Sequence, residues 1–255
     1  MQTQHAEPQA SSASEQQQHR NQHWGSKAPE YDQVFEPIES QLYAELEAQT
    51  VAEFLQPAPG MKILDVCSGT GRNSRPLARA GARVIGLDAA RGMVEVARQK
   101  AIEAGLDNLS FLNGSALELP FPDEAFDAVT GTRFMYMMNP REKKQILSEM
   151  TRVLKPGGVL ALQFNGGFWG VKHEVTNLLK RRPARLRSRY LWPGQIQQLV
   201  APLRVEKLVG VKLPWVAKAS KLTGSRIALG LNRVVRLPGF RFASAYLVVK
   251  AVKPA

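Results

Sequence analysis

"ILDVCSGTGRNS" (residues 63–74) is apolar up to Val66, apart from Asp65, and then breaks into small residues. A chain that does this is leaving a buried strand and making a tight turn into a helix. Gly69 and Gly71 let the backbone approach a ligand that side chains would exclude. A helix starting near Arg72 would aim its free N–H groups and its positive dipole end at that ligand. The next apolar run, RVIGLD (83–88), ends in Asp88, where a carboxylate can accept both hydroxyls of a ribose. Turn and acid together point to an adenosyl ligand. They do not choose among such ligands, because a dinucleotide needs the same two features. The dinucleotide fingerprint asks for a third glycine that lets helix and strand pack closely; Ser74 stands there instead, a departure that is small enough not to exclude a dinucleotide.

Working outward, the pattern alternates. MKILDV (61–66), RVIGLD (83–88), LSFLN (109–113), FDAVTG (126–131) and VLALQF (159–164) read as strands. Residues 39–55, 72–80, 92–104 and 142–154 read as helices. Strands separated by helices of this length make βαβ units and a doubly wound, Rossmann-like α/β sheet with both faces covered. After Phe164 come a glycine-rich loop, NGGFWG (165–170), and a basic run, KRRPARLRSR (180–189). A short helix (193–200), a strand (203–211) and a terminal strand, SAYLVVKAV (244–252), follow. The expected organisation is a disordered tail over 1–24, a ligand-binding core over 25–165, and a basic substrate or lid region over 166–255 that completes the sheet.

The tail is rich in Gln, Ser and His and almost free of aliphatics, so ordering it should cost more than it returns. It is therefore expected to be dispensable. Three of the four histidines lie there; the fourth is His173. With a single cysteine, Cys67, neither an internal disulfide nor a zinc cluster is expected. No metal site is assigned. The N-terminus lacks the apolar region of a secretory signal, and no uncharged apolar run is long enough to span a bilayer. A reducing, cytoplasmic compartment is expected. The net charge of +12 divides unevenly: −4 from Met1 to Val171 and +16 from Lys172 to Ala255. So basic a segment suits an anionic partner, a membrane surface or a nucleic acid.

ILDVCSGTG, IGLDAA, GSALELPFPDEAFDAVTGTRF and MTRVLKPGGVLAL, in that order over roughly residues 35–165, resemble the class I S-adenosylmethionine-dependent methyltransferases. The small-molecule branch containing the ubiquinone and menaquinone methyltransferases is the closest in pattern. The resemblance implies a seven-stranded sheet, mostly parallel with an antiparallel terminal strand, carrying helical lid insertions; SAYLVVKAV would supply the reversed strand. It implies S-adenosylmethionine (SAM) as cofactor. Asp65, Ser68, Gly69 and Gly71 would line its methionine half, and Thr132 and Arg133 would close that side. Asp88 would hold the ribose, Ala89 and Met93 would pack on the adenine, and Ser115, Ala116 and Leu117 would face the adenine edge. Tyr31, in APEYDQVF, matches a tyrosine that covers SAM in this branch. Many relatives carry Gly where Cys67 stands and an acid where Ser115 stands; the serine hydroxyl is expected to accept from the adenine amino group in its place.

The acceptor pocket is expected beside the end of the fourth strand, at TRFMYMM (132–138). Some relatives have histidines where Met137 and Met138 stand, and methionines cannot take a proton. Tyr136 and His173 are the candidate catalytic groups, and catalysis by positioning alone is the alternative. Phe134, Met135, Met137, Met138, Phe168 and Trp169 would make the pocket apolar, suiting a lipophilic or aromatic small-molecule acceptor for O- or C-methylation. In 216–236, Lys218, Lys221, Arg226, Arg233 and Arg236 fall opposite Val216, Ile227, Leu231 and Val234 at helical spacing, a pattern that suits peripheral attachment to anionic lipid. Two other classes remain. An RNA methyltransferase is supported only by the charge, since Asn139-Pro140 runs into Arg141 rather than the Pro-aromatic pair of base-amino methylases. An NAD(P)-linked oxidoreductase is supported only by the glycine turn and Asp88.

Overall fold

A computed structural model describes residues 13–35, 38–167, 190–211 and 244–255. Strands β1 (Lys62–Val66), β2 (Arg83–Asp88), β3 (Leu109–Asn113), β4 (Phe126–Gly131), β5 (Leu154–Asn165), β6 (Arg204–Gly210) and β7 (Tyr246–Val252) form one sheet, ordered β3-β2-β1-β4-β5-β7-β6. From β3 to β5 every pairing is parallel, and β7 runs antiparallel between β5 and β6. The expected reversed strand is therefore present, and it is β7. Alternate residues feed two cores. Leu64, Val66, Val129, Leu160 and Val249 pack with α5 (Pro140–Val153) and α6 (Pro193–Val200). Ile63, Val84, Ala128, Ala161 and Val248 pack with α2 (Ile38–Leu55), α3 (Ser74–Arg79) and α4 (Arg91–Glu103) on the other face. Burial on both faces is why these strands read as near-continuous apolar runs. The chain reverses its winding between β1 and β4, so the loops leaving these strands diverge and open a crevice there.

Most boundaries fall within a residue or two of the sequence expectation, and three of the differences bear on the site. Helix α3 begins at Ser74, not near Arg72, so the turn after β1 is longer and the helix shorter. Helix α5 begins at Pro140 because Asn139 caps it: its Oδ1 accepts from the Arg141 and Glu142 amides, and Glu142 Oε2 accepts from the Asn139 amide. Strand β5 extends back to Leu154 through the Lys-Pro-Gly-Gly stretch.

The disordered tail expected over 1–24 is corrected for its second half. Residues Ala13–Lys27 form helix α1, followed by a 3-10 segment, Ala28–Phe35. Few apolar side chains hold α1 down. Trp24 and Ala28 pack with Tyr31, Ala90, Met93 and Val96, and the Trp24 and Tyr31 rings meet edge to face at 5.9 Å. Polar contacts do the rest: Arg20 pairs with Glu142 at 2.5 Å, and Gln17 Nε2 donates to Ser115 Oγ at 3.1 Å. Composition alone undervalues such a docking, which rests on a few long-range contacts. Phe168, Trp169, His173 and the segments 180–189 and 216–236, for which roles are expected above, lie outside the described residues.

The backbone of α1 comes so close to α4 that a Cβ on Gly92 would stand 2.5 Å from the Gly25 carbonyl oxygen. Gly92→Ala must therefore lift α1. The expected cost is about 1–3 kcal/mol, typical of overpacking, read as a lower urea midpoint. In a chain whose other tryptophans are replaced by phenylalanine, the Trp24 emission should shift to the red. An unchanged midpoint and unchanged emission would show that α1 docks without this contact.

Candidate functional site

Leaving β1, the backbone enters the left-handed region three times in five residues: Cys67 at φ 55°, Gly69 at φ 55° and Gly71 at φ 74°. A non-glycine residue there costs on the order of 1–2 kcal/mol, which Cys67 bears. The turn is tied to β2: Ser68 N donates to the Leu87 carbonyl at 3.1 Å and Gly69 N to Asp88 Oδ2 at 2.9 Å. Asp88 Oδ1 accepts from Ala90 N at 2.9 Å. Each carboxylate oxygen keeps a further lone pair, aimed from a half-buried position on the cavity wall. Burial raises the Asp88 carboxyl above the ordinary range, and its two backbone donors oppose the rise.

Gly71 has a different reason from the one its spacing suggested. A Cβ there would meet the Phe111 ring at 2.4 Å, so this glycine serves packing and is not on the cavity wall. Asp65 is also corrected. It is 1% exposed and accepts from Ser74 Oγ at 2.6 Å, beneath the turn and away from the cavity. Ser74 thus holds the strand to the helix start instead of simply being small.

Glu47, on α2, was not foreseen. It is fully buried, accepts from Arg72 Nη2 at 2.8 Å, and takes the Arg133 Nε at 3.1 and 3.0 Å on its two oxygens. Asn73 Nδ2 donates to Thr132 Oγ1 at 2.5 Å and more weakly to Glu47 at 3.4 Å. Arg133, at φ 60°, donates its amide to Gln163 Oε1 at 2.7 Å and lies 5.9 Å over the Tyr246 ring. The only hint in the sequence is a carboxylate set among the apolar positions Leu46, Val51 and Phe54 of an amphipathic helix. Two guanidinium groups face this one carboxylate, leaving an excess positive charge. Beside it, Ser68 Oγ and Asn73 Oδ1 are buried with no hydrogen-bond partner. The small polar recess lined by Tyr31, Ser68, Thr70, Arg72, Asn73 and Arg133 therefore offers cations and bare acceptors together. A zwitterionic amino-acid group matches both, and so the methionine end of SAM fits.

The recess adjoins a larger, partly open cavity. One side carries Asp88, Ala89, Met93, Ser115, Ala116 and Leu117, as expected for an adenosyl group. Phe134, Met137, Met138 and Ile146 make the other side apolar, and Gln17, Arg20, Asn21 and Trp24 of α1 close it over. Tyr31, Gly69, Thr132 and Arg133 stand where the two spaces meet. The structure thus brings together eleven expected residues: Tyr31, Ser68, Gly69, Asp88, Ala89, Met93, Ser115, Ala116, Leu117, Thr132 and Arg133. Tyr136 lies half-buried on the 3-10 turn Met135–Met137 and is not on the wall; Met135 is core. Ser115 Oγ, expected to accept from an adenine amino group, here already accepts from Gln17 Nε2 and from Leu117 N at 3.2 Å. The described residues hold no cluster of metal-ligating side chains and no helix long and apolar enough to cross a membrane.

Residues 63–158 match the family model for a methyltransferase domain. The demethylmenaquinone methyltransferase of Listeria monocytogenes serotype 4a (strain HCC23) is 39% identical over 140 residues, which is 52% of this chain and 56% of that protein. The chain thus spans about half the length of the curated relatives it matches. Among solved structures, the putative methyltransferase in complex with the Haloferax volcanii Trm112 methyltransferase activator superposes with a TM-score of 0.63 at 22% identity, covering 92% of this chain and 99% of that one. The [4+2]-cyclase SpnF superposes with a TM-score of 0.59 at 23% identity, covering 82% and 80%. Together these findings support the class I SAM-dependent methyltransferase resemblance, its menaquinone branch included; the structural likenesses by themselves show the fold.

Burial pushes the Asp65 carboxyl up to about 7; the Ser74 hydrogen bond and Arg72 oppose the rise, while Asp88 and Glu47 add to it. A folded value above the unfolded one, about 3.9, means that the native state binds the extra proton. Its contribution to stability is present below about pH 4 and is lost as pH rises through 7. Asp65→Asn keeps an acceptor for Ser74 and removes the titration. Its melting temperature should fall less than that of the parent between pH 5 and 8. Parallel pH profiles would show that Asp65 stays ionised throughout.

Proposed function

We propose that the chain transfers the methyl group of SAM to a small lipophilic ring of the quinone type. The observation that carries this reading is the layout of the crevice: a cation-rich recess, then Asp88 and the adenosyl wall, then an apolar chamber under α1. The name of its relatives, demethylmenaquinone methyltransferase, supports a prenylated naphthoquinol as the acceptor. RNA finds no comparable support in the crevice. The bound cofactor supplies an electrophilic methyl carbon on its sulfonium.

The residues of the chain do the rest. Arg72, Arg133, Ser68 and Asn73 would hold the amino-acid end, and Asp88 the ribose. Phe134, Met137, Met138 and Trp24 would hold a flat apolar ring and exclude water, which puts a nucleophile in line with the methyl carbon. Among the described residues the cavity wall has no histidine, and its one carboxylate, Asp88, belongs to the ribose position. Arg20 and Arg133 are there instead, each paired with a glutamate, so an acceptor hydroxyl would have to arrive already as its phenolate. Positioning with electrostatic support is thus the mechanism we favour for a phenolate methylated at oxygen, which has no proton to lose; methylation at a ring carbon must also pass that carbon's proton to a base. His173 stays a proposed base from outside the described residues.

Calorimetry tests the cofactor. The protein should bind SAM and ignore NADH. Asp88→Ala should weaken SAM by about 1.5–3 kcal/mol for each charge-assisted hydrogen bond lost. Binding of NADH alone would overturn the assignment.

The +16 net charge from Lys172 to Ala255 supports peripheral attachment to an anionic membrane, where such an acceptor would dissolve. Sedimentation with anionic vesicles should exceed that with neutral ones and fall with salt, and replacing Lys218, Lys221 and Arg226 by Gln should reduce it without changing SAM affinity. Equal sedimentation with both vesicle types would rule out electrostatic attachment.

A further inference from the structure

The hydrogen bonds around Ser115 leave a gap in the adenosyl wall that α1 fills. A serine hydroxyl has two lone pairs and one proton. Leu117 N takes one lone pair at 3.2 Å and Gln17 Nε2 the other at 3.1 Å. The hydroxyl has no acceptor capacity left for an exocyclic amino group. Gln17 is half-buried on the same wall, and its Oε1 has no partner among the described residues. Its amide is fixed at one end by Ser115, so a carbonyl oxygen stands beside the hydroxyl that was expected to accept. Gln17 reaches this place only because α1 is docked: Arg20 pairs with Glu142, and Trp24 packs on Tyr31.

We propose that Gln17 is an adenine-reading residue of this chain. Its Oε1 accepts from the 6-amino group, with Ser115 orienting the amide, and cofactor binding thereby stabilises α1 over the crevice. The inference rests on the SAM reading above. It moves a specificity contact from the loop after β3 to a helix some 90 residues earlier in the chain.

The test uses the full chain and two ligands: S-adenosylhomocysteine, and its purine analogue in which hydrogen replaces the 6-amino group. The loss of one hydrogen bond to a buried acceptor corresponds to roughly tenfold in affinity. In calorimetry the parent should prefer the adenosyl ligand about tenfold. Gln17→Ala should lose most of that preference. Gln17→Glu, which keeps an acceptor at the same reach, should retain it, and Ser115→Asp placed on Gln17→Ala should restore it. Trp24 emission reports whether α1 remains docked in each variant. If Gln17→Ala weakens both ligands equally and keeps the preference, Gln17 only tethers α1 and the proposal falls. If the preference survives with affinity unchanged, it also falls. If the parent binds neither S-adenosylhomocysteine nor SAM, the failure belongs to the cofactor reading.

Discussion

The crevice depends on one buried carboxylate. Glu47 sits on α2 with no contact to solvent, and burying such a charge unpaired would cost several kcal/mol. It is paired twice, with Arg72 from the turn after β1 and Arg133 from the turn after β4. Those turns flank the point where the strand order reverses. The β1–β4 pairing sets where they begin, and beyond the strand ends Glu47, with the Asn73–Thr132 hydrogen bond, holds them together. By holding two guanidinium groups with one carboxylate, it also leaves the recess positive, and Asn73, drawn to Thr132 and Glu47 through its amide nitrogen, is left with a bare oxygen. Geometry, charge and the unsatisfied acceptor therefore share one cause.

From that fixed end the crevice passes to a more apolar wall, and α1 lies across it. Its Gln17 and Arg20 meet Ser115 and Glu142, while Trp24 turns to Tyr31 and Met93. A helix so poor in aliphatics gains little from burial, so its docking is held by a few directional contacts and a close backbone approach at Gly25 and Gly92. Asp32 extends the tether: it accepts from Thr70 Oγ1 at 2.7 Å and pairs with Lys100. Burial raises its carboxyl, but these partners outweigh that and hold it below the ordinary range. The segment that closes the crevice is thus linked directly to the turn that lines it.

What could be read from sequence followed from repetition, and what could not followed from single long-range contacts. The inner strands were legible because burial on both faces makes them apolar runs, while β3, at the sheet edge, buries only Leu109 and Phe111; β2, β3 and β4 fall on the expected residues. Asp88 was legible because a strand end is a defined place in this topology. The start of α5 was missed although its signal was local: Asn139-Pro140 followed by Glu142 is a capping box. Glu47 left only a hint and Gln17 none, since their roles come from partners up to 86 and 98 residues away.

The glycines show how one signal can have two causes. Gly69 and Gly71 both take positive φ, and spacing alone assigns both to a ligand. At Gly69 the nearest atom to an added Cβ is Tyr31 at 4.0 Å, so there is open space of the kind a ligand uses. At Gly71 the Phe111 ring already fills that space, and the same ring lies 2.4 Å from where a Cβ on Gly86 would be. Phe111 thus packs the turn against β2 from below, while Asp88 ties it from above through the Gly69 amide. Held from both sides, the turn keeps its shape before any ligand arrives. A preorganised turn of this kind loses little entropy on binding, and this lets a short stretch of backbone act as a cofactor site.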